Sequence, residues 1–165
     1  MGKNILFASF TFWLLIALSG RVVYALPPGQ PAPGFTLEDT SGRSVSMAKL
    51  SGRVIALNFF SVSCSPCRQS ISVLNMVYGK YRLKGFLVLG VTKDPLNAVR
   101  DFERGRLIEY PVLLDTKSTA YSLYDVLPIP VTYLIGKNGV IAERIWGPPD
   151  PKTLQKEIDR LLFQP

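Results

Sequence analysis

A short apolar run ending in two cysteines three positions apart constrains this chain more than any other stretch. The run is Val54–Phe60, and Cys64 and Cys67 follow it as the only cysteines of the protein. Apolar residues recur at helical spacing after Cys67, which predicts a strand, a turn and a helix that starts near Cys64. Free N–H groups and the positive dipole end of that helix favour a thiolate at Cys64. Cys67 is then one turn away, so the pattern predicts thiol–disulfide exchange with Cys64 as nucleophile and Cys67 as resolving thiol.

Two other roles for a Cys-x-x-Cys pair remain open. A structural zinc site normally takes four Cys, His or carboxylate ligands. This chain has no histidine and no third cysteine, so one chain cannot complete a closed Cys/His site. A structural disulfide across so small a loop would restrict the unfolded chain very little. The pattern favours a redox site, and we expect no metal and no bound cofactor.

The charge distribution argues against a nucleic-acid partner. The chain has 165 residues, enough for one domain with its own core, and it carries a formal net charge of +7. Lys3 and Arg21 are the only charged residues before position 26, so the remaining chain carries +5. A nucleic-acid binder concentrates its basic residues in a patch. Here they are scattered along the sequence, and we expect a mildly basic surface that helps the protein meet acidic partners or an anionic membrane. They include Arg43, Lys49, Arg53, Arg68, Lys80, Arg82, Lys84, Arg104 and Arg106.

The N-terminal stretch 1–25 has the layout of a secretory signal peptide. Met1–Asn4 carries a lysine, Ile5–Leu18 is uncharged and mostly apolar, and small or branched residues lead to Ala25. We expect cleavage after Ala25. The alternative is an uncleaved membrane anchor, because Val22–Leu26 would lengthen the apolar run if Arg21 snorkels. Either outcome places the folded part outside the cytoplasm, with membrane contact only if the segment is retained.

Two domain boundaries follow from composition. Residues 26–34 are nearly all Pro, Gly and Ala, which predicts an extended tether. The folded domain is then 35–165, opening with a β-hairpin whose strands, Phe35–Leu37 and Ser44–Ser46, flank a turn at Asp39–Gly42.

The rest of the chain alternates between strand and helix signals, which predicts an α/β fold. The helix after the cysteines lies between two buried strands, so these three elements form a right-handed βαβ unit with parallel strands. The further predicted elements are the strand Phe86–Val91, a helix over Pro95–Leu107 with Asp94 as a candidate N-cap, the extended segment Pro111–Leu114, a helix over Lys117–Tyr124, a hairpin of Val131–Ile135 and Val140–Trp146 around Asn138-Gly139, and a last helix opening at Asp150-Pro151.

Several stretches in this order carry a family resemblance. They are Ala32–Leu37 with Gly42, Leu57–Phe60 before Cys64–Arg68, Pro111–Asp115, and Ile129–Ile135 followed by Gly139. The sequence resembles the thioredoxin superfamily, and within it the extracytoplasmic TlpA/ResA-like thiol–disulfide oxidoreductases. The resemblance implies a thioredoxin-like fold, in which helices flank a central mixed sheet and an extra β-hairpin stands at the N-terminus.

The resemblance also implies roles for three further positions. Pro130 would follow a cis peptide bond beside the cysteine pair, and the backbone of Ile129 would pair with an extended stretch of substrate. Alternatively, Pro128 and Pro130 are ordinary loop prolines. Asn58 stands where thioredoxin has a buried acid, and it is otherwise interpreted as a hydrogen-bonded core amide.

Asp94 is the nearest match to an acid that some relatives place near the active site. A carboxylate there would relay a proton to or from Cys67. The competing interpretation is the helix N-cap named above. The chain also departs from the family, with Ser70 and Ser72 where Glu and Pro are common and Ser63 where an aromatic usually precedes the first cysteine.

The resemblance implies protein disulfides as substrates, such as those of apocytochrome c or a copper-site assembly protein. A membrane-embedded dithiol would supply electrons, and the protein would lie in the bacterial periplasm or be anchored in the membrane facing it.

Two rival functions are a peroxiredoxin-type peroxidase and a copper-delivery module. The peroxiredoxin pattern Pro-x-x-x-Thr-x-x-Cys meets Leu57, Ser61 and Cys64 here, so only a hydroxyl and the cysteine match. Copper-delivery relatives use Cys-x-x-x-Cys and a distal His, which this chain lacks, although two thiolates alone bind cuprous ion.

Overall fold

A seven-stranded mixed sheet organises the structure, a computed structural model that describes residues 26–105 and 107–163. The central strands pair in parallel, β3 with β4 and β4 with β5, and the remaining pairs are antiparallel. The order across the sheet is β2-β1-β5-β4-β3-β6-β7. The strands are β1 (Thr36–Asp39), β2 (Ser44–Ser46), β3 (Val54–Phe59), β4 (Phe86–Thr92), β5 (Val112–Leu114), β6 (Val131–Ile135) and β7 (Ile141–Trp146).

In the described part of the chain four α-helices cover this sheet, and each predicted helix is present. The helix predicted over Pro95–Leu107 is shorter than expected and ends at Arg104. The α/β prediction and the predicted N-terminal hairpin are confirmed. The helices are α1 (Ser65–Tyr81), α2 (Leu96–Arg104), α3 (Thr119–Leu123) and α4 (Pro151–Phe163), with 3-10 turns at Met47–Leu50 and Arg82–Lys84.

Strand β3 separates two hydrophobic cores. All six of its residues are buried, as its nearly continuous apolar sequence predicts. Side chains alternate along the strand, so Ala56 faces the core beneath α1, α2 and α4. Leu57 and Phe59 face the second core, beneath α3 and the N-terminal hairpin. The end of β3 therefore lies between two packed layers, which fixes the position of the segment that follows it.

Helix α1 buries the apolar stripe predicted from its sequence. Ile71, Leu74, Val77 and Tyr81 are each no more than 1% exposed and pack in the first core. Full burial of one such aliphatic side chain contributes about 1.5–3 kcal/mol. This stripe holds α1 firmly against the sheet and so fixes the helix N-terminus.

The segment 26–34 differs from the expected tether. The N–H of Gly29 donates to the carbonyl of Ile141 at 2.8 Å, and the N–H of Ala32 donates to that of Gly139 at 2.9 Å. The hydroxyl of Tyr124 donates to the carbonyl of Pro33 at 2.9 Å. Proline and glycine leave this segment no helical or alternating pattern, yet its backbone groups still pair with the start of β7. It is thus fastened to the domain.

The predicted signal peptide or anchor, residues 1–25, lies outside the described residues. Within 26–105 and 107–163, no helix is long and apolar enough to cross a bilayer.

Candidate redox site

Cys64 lies at the N-terminus of α1, as predicted. It occupies the N-cap position, and Pro66 stands in the first turn, where its missing N–H costs nothing. The N–H of Cys67 donates to the Cys64 sulfur at 3.3 Å. A backbone donor and the positive end of the helix dipole therefore both face this sulfur, an arrangement that stabilises a thiolate once the disulfide is reduced.

The two cysteines differ in exposure. They form a disulfide in this structure. Cys64 is half-buried at the surface, whereas Cys67 is fully buried among the residues of the first core. Cys64 is therefore the more accessible of the two cysteines, and Cys67 is covered by the core.

Asp94 fastens the loop that leads into Cys64. Its carboxylate accepts hydrogen bonds from the Val62 N–H at 2.7 Å, the Ser61 hydroxyl at 3.0 Å and the Thr92 hydroxyl at 2.8 Å. The interpretation of Asp94 as the N-cap of α2 is wrong, because Pro95 occupies that position and no side chain caps the helix. The carboxylate turns instead towards the cysteine loop, which supplies two of its three donors.

Tyr121 anchors the same loop from the second core and was not singled out from the sequence. Its hydroxyl donates to the carbonyl of Phe60 at 2.9 Å, and its ring meets that of Phe59 edge-on at 5.1 Å. Burial, with the nearby carboxylates of Asp94 and Asp115, raises the pKa of Tyr121 well above its ordinary value. It therefore acts as a neutral donor. No local sequence signal marks this role, since the two partners lie far apart in the chain.

Ile129 and Pro130 lie at the same end of the sheet as the cysteine pair. The Ile129–Pro130 peptide bond is cis, as the resemblance implies, and Leu127–Pro128 is cis as well. Val131 pairs with Phe59 at the end of β3, which places Pro130 beside the start of the cysteine loop. Ile129 is half-buried and packs against both cores.

Polar groups also lie beneath α1. Asn58 is fully buried, and its amide nitrogen donates to the Thr132 hydroxyl at 3.0 Å, so it is a hydrogen-bonded core amide. Its Oδ1 atom and the Oγ atom of Ser70 have no hydrogen-bond partner among the described residues. Ser70 is fully buried and follows Cys67 by three positions, which puts both on one face of α1. In the sequence Ser70 is only a departure from the family pattern, and no local signal indicates that its hydroxyl is buried.

Across residues 26–105 and 107–163, no group of three or more His, Cys, Asp or Glu side chains is arranged to hold a metal ion.

Comparison with known proteins agrees with this geometry. The AhpC/TSA family profile matches residues 28–144, most of the chain. A thiol–disulfide oxidoreductase ResA from Bacillus cereus is 28% identical over 173 residues, covering 98% of this chain and 99% of the relative. The ResA of Bacillus subtilis is 29% identical over 143 residues, covering 81% and 80% respectively.

Solved structures show the same likeness. A putative thiol:disulfide interchange protein DsbE from Chlorobium tepidum has a TM-score of 0.77 and 33% identity, covering 83% of this chain and 99% of its own. A putative thioredoxin from Neisseria meningitidis has a TM-score of 0.73 and 32% identity, covering 79% and 88%. The predicted thioredoxin-like fold is thereby confirmed. With its Cys64–Cys67 pair at a helix N-terminus, the chain belongs to the AhpC/TSA family and is a thiol–disulfide oxidoreductase of the thioredoxin superfamily.

Proposed function

We propose that this enzyme reduces disulfides of specific protein partners outside the cytoplasm. The observation that carries the proposal is the asymmetry of the pair: Cys64 is partly exposed and its sulfur accepts a backbone N–H, whereas Cys67 is fully buried. An enzyme that reduces a bulky partner needs one reachable nucleophile and one protected resolving thiol.

The proposed reaction has two exchange steps. The Cys64 thiolate attacks one sulfur of the partner disulfide, forming a mixed disulfide and releasing the other partner sulfur as a thiolate. Cys67 loses its proton and attacks the Cys64 sulfur, which releases the second partner thiolate and leaves the Cys64–Cys67 disulfide. Two electrons from an external dithiol restore the enzyme, and we propose a membrane-embedded dithiol as that donor.

Ile129 and Pro130 are the proposed partner-binding residues. Ile129 comes two residues before Val131, which pairs with Phe59 at the end of β3 that leads to Cys64. This position supports pairing of the Ile129 backbone with an extended partner segment. Exposed apolar surface adjoins it, since Leu127 is 80% exposed and Trp146, opposite Val131 in the sheet, is 48% exposed. These features support an extended polypeptide as the substrate.

Asp94 is a candidate proton relay to Cys67. Its three hydrogen bonds to residues of the β4 end and the cysteine loop support a positioning role. The relay role is proposed because Asp94 is the nearest match by position to the acid that some relatives place near the active site.

Partner trapping tests the exchange mechanism. Cys67→Ser, produced in a bacterial host with its own leader, is expected to accumulate mixed disulfides through Cys64, detected on non-reducing gels and identified by mass spectrometry. Cys64→Ser is the matched control and should capture little, because Cys67 is buried. Equal capture by the two variants would overturn the assignment of the attacking thiol. Ultraviolet titration should show Cys64 ionising at a lower pH than a free thiol.

Reduction assays address the partner class. Cytochrome c maturation predicts fast reduction of an oxidised Cys-x-x-Cys-His peptide, the haem-attachment motif. A peptide with the same composition and a displaced histidine is the control. Equal rates on both would remove apocytochrome c as the proposed partner while leaving the general reductase activity intact.

A further inference from the structure

Three loops and the end of α4 gather at the end of the sheet remote from the cysteines. The Gly52 N–H donates to the Lys137 carbonyl at 3.0 Å, and the Val54 N–H donates to the Gly85 carbonyl at 3.1 Å. The Lys137 ammonium donates to the Leu162 carbonyl in the last turn of α4. Strand β3 starts at this end and runs six residues to the cysteine loop, so the two ends of the sheet are about 20 Å apart.

Basic side chains scattered in the sequence come together here. Arg53, Arg82, Lys84 and Lys137 are all exposed. The loops 50–53, 82–85 and 136–139 contain no acidic residue. Within the described part of the chain, neither Arg53, Arg82 nor Lys84 forms an ion pair. The surface formed by Arg53, Arg82–Lys84, Lys137 and Phe163 is called the basic pole below.

Two apolar side chains protrude from the basic pole. Leu83 is 92% exposed and lies between Arg82 and Lys84, and Phe163 is 69% exposed. Leu162 lies 3.9 Å from the Cβ position of Gly85, which brings the end of α4 against the loop that carries Leu83. The acids of the last turns of α4 are Glu157, which pairs with Arg160, and Asp159, one turn before Phe163. Cations surrounding protruding apolar groups match an anionic lipid surface, whose headgroups attract the charges and whose hydrocarbon accepts the apolar groups.

The chain also enters the described structure close to this end. Ala32 and Gly29 are hydrogen-bonded to Gly139 and Ile141, next to Lys137. Leu26 is three residues before Gly29 and therefore no more than about 11 Å from it. The sequence that precedes Leu26 includes the uncharged apolar run Ile5–Leu18. A bilayer that held this run would lie within reach of the basic pole.

We propose that the basic pole is a docking surface for an anionic phospholipid bilayer. Arg53, Arg82 and Lys84 contact the headgroups, and Leu83 and Phe163 enter the interface. A nucleic acid would not use the two apolar side chains, and an uncleaved apolar run 5–18 would bring a bilayer, rather than an acidic protein, to this end of the domain. The docked protein then turns its cysteine pair away from the membrane, towards protein substrates, and it undocks to meet the membrane-embedded dithiol proposed above.

Amide hydrogen exchange of the full chain in lipid nanodiscs tests this. Nanodiscs of phosphatidylcholine alone are compared with nanodiscs that also contain phosphatidylglycerol. Peptides covering residues 80–86 are expected to exchange about tenfold more slowly in the anionic discs. Peptides covering residues 60–70, at the cysteine end, should be unchanged. Salt of about 0.5 M should remove the difference, because it shortens the Debye length.

Matched variants decide which residues act. Arg53→Gln/Arg82→Gln/Lys84→Gln should abolish the lipid-dependent slowing. Lys117→Gln/Lys152→Gln/Lys156→Gln removes the same charge from exposed positions elsewhere and should preserve it. Leu83→Gln, at a side chain too exposed to affect folding, should weaken it.

The proposal is overturned if exchange at residues 80–86 is equal in both kinds of disc, which would leave the basic pole to an acidic protein partner. If both triple variants lost the lipid-dependent slowing of exchange equally, the proposal would be overturned as well, since net charge alone would then explain the effect. Disulfide reduction by all three variants should match that of the unmodified protein, so this test and the partner-trapping test can fail separately.

Discussion

The carboxylate of Asp94 accepts a hydrogen bond from the backbone N–H of Val62 at 2.7 Å, two residues before Cys64. Asp94 follows the end of β4, whereas Val62 follows the end of β3. This bond ties the two parallel central strands together at the sheet end where exchange takes place. The position of the Cys64 loop therefore depends on β4 as well as on its own strand.

Asp94→Ala is expected to lower the free energy of unfolding by about 2 kcal/mol, because it leaves the Val62 N–H and two hydroxyls without their charged acceptor. Mixed-disulfide formation by Cys64 should slow as the loop loosens. Urea unfolding measures the loss of stability, and stopped-flow kinetics measure the rate of disulfide exchange.

Asp94→Asn separates positioning from proton relay. A displaced pH profile for resolution by Cys67 supports the relay, and an unchanged profile supports positioning alone. Wild-type stability in Asp94→Ala would contradict the structural role.

Ser70→Ala should stabilise the oxidised protein by about 1 kcal/mol. The Ser70 hydroxyl is fully buried and has no partner among the described residues, so its desolvation is uncompensated. Ser72→Ala is the control, since Ser72 is exposed on the same helix and gains only the helix propensity of alanine, about 0.5 kcal/mol. Both are measured by urea unfolding without reductant. An equal gain in the two variants would show that the Ser70 hydroxyl is satisfied.

Gly90→Ala is expected to destabilise the fold by about 1–3 kcal/mol through overpacking. A Cβ atom at Gly90 would lie 2.9 Å from the Phe60 ring and 3.2 Å from the Tyr110 ring, both fully or nearly fully buried. Gly79→Ala serves as the opposite case. Gly79 is an exposed residue within α1 with nothing within 4 Å of its Cβ position, and alanine there should stabilise by up to about 1 kcal/mol. The midpoint of thermal unfolding should therefore fall in Gly90→Ala and rise in Gly79→Ala.

Asp39 makes the N-terminal hairpin sensitive to acid. Burial alone would raise the pKa of Asp39, but hydrogen bonds from Ser41 and Arg43 outweigh it and lower the pKa to about 2. Because the folded pKa lies below the unfolded one, the stabilisation is complete above about pH 5 and is lost as the pH falls towards 2. The shift corresponds to roughly 2 kcal/mol.

Asp39→Asn should accordingly cost about 2 kcal/mol at pH 7, and the deficit should shrink as the pH approaches 2. Urea unfolding at a series of pH values measures this difference. Asp101→Asn is the comparison, since Asp101 forms an exposed ion pair with Arg104 that contributes at most about 1 kcal/mol. A pH-independent deficit in Asp39→Asn would refute the assigned cause.

Much of the fold follows from local patterns. The stripe of Ile71, Leu74 and Val77 predicted α1, and the continuous apolar run before Cys64 predicted a strand buried on both faces. These predictions succeeded because the period of the apolar residues reflects which face is buried. The Asn138-Gly139 turn likewise placed the last hairpin.

The contacts that complete the site are non-local, and local sequence patterns do not reveal them. Asp94 precedes a helix and so resembles a cap, but its partners Ser61 and Val62 belong to a loop that comes before α1 and β4 in the chain. Tyr121, in α3, reaches back to Phe60 at the end of β3. A propensity describes only neighbours in the chain, and a carboxylate binds whichever donors the fold brings to it. For the same reason, the basic residues looked dispersed until the loops met at one end of the sheet.

The pairing of Gly29 and Ala32 with the β7 hairpin removes a degree of freedom that a proline-rich leash would normally give. A domain on a flexible linker samples many orientations and meets its partners by rotational diffusion. Here the linker is hydrogen-bonded to the domain at Gly29 and Ala32, so fewer residues are left to vary the orientation of the domain relative to the chain that precedes it. The orientation of the domain would then govern its encounters with an electron donor. Extra residues inserted ahead of Pro28 would restore the wider range of orientations.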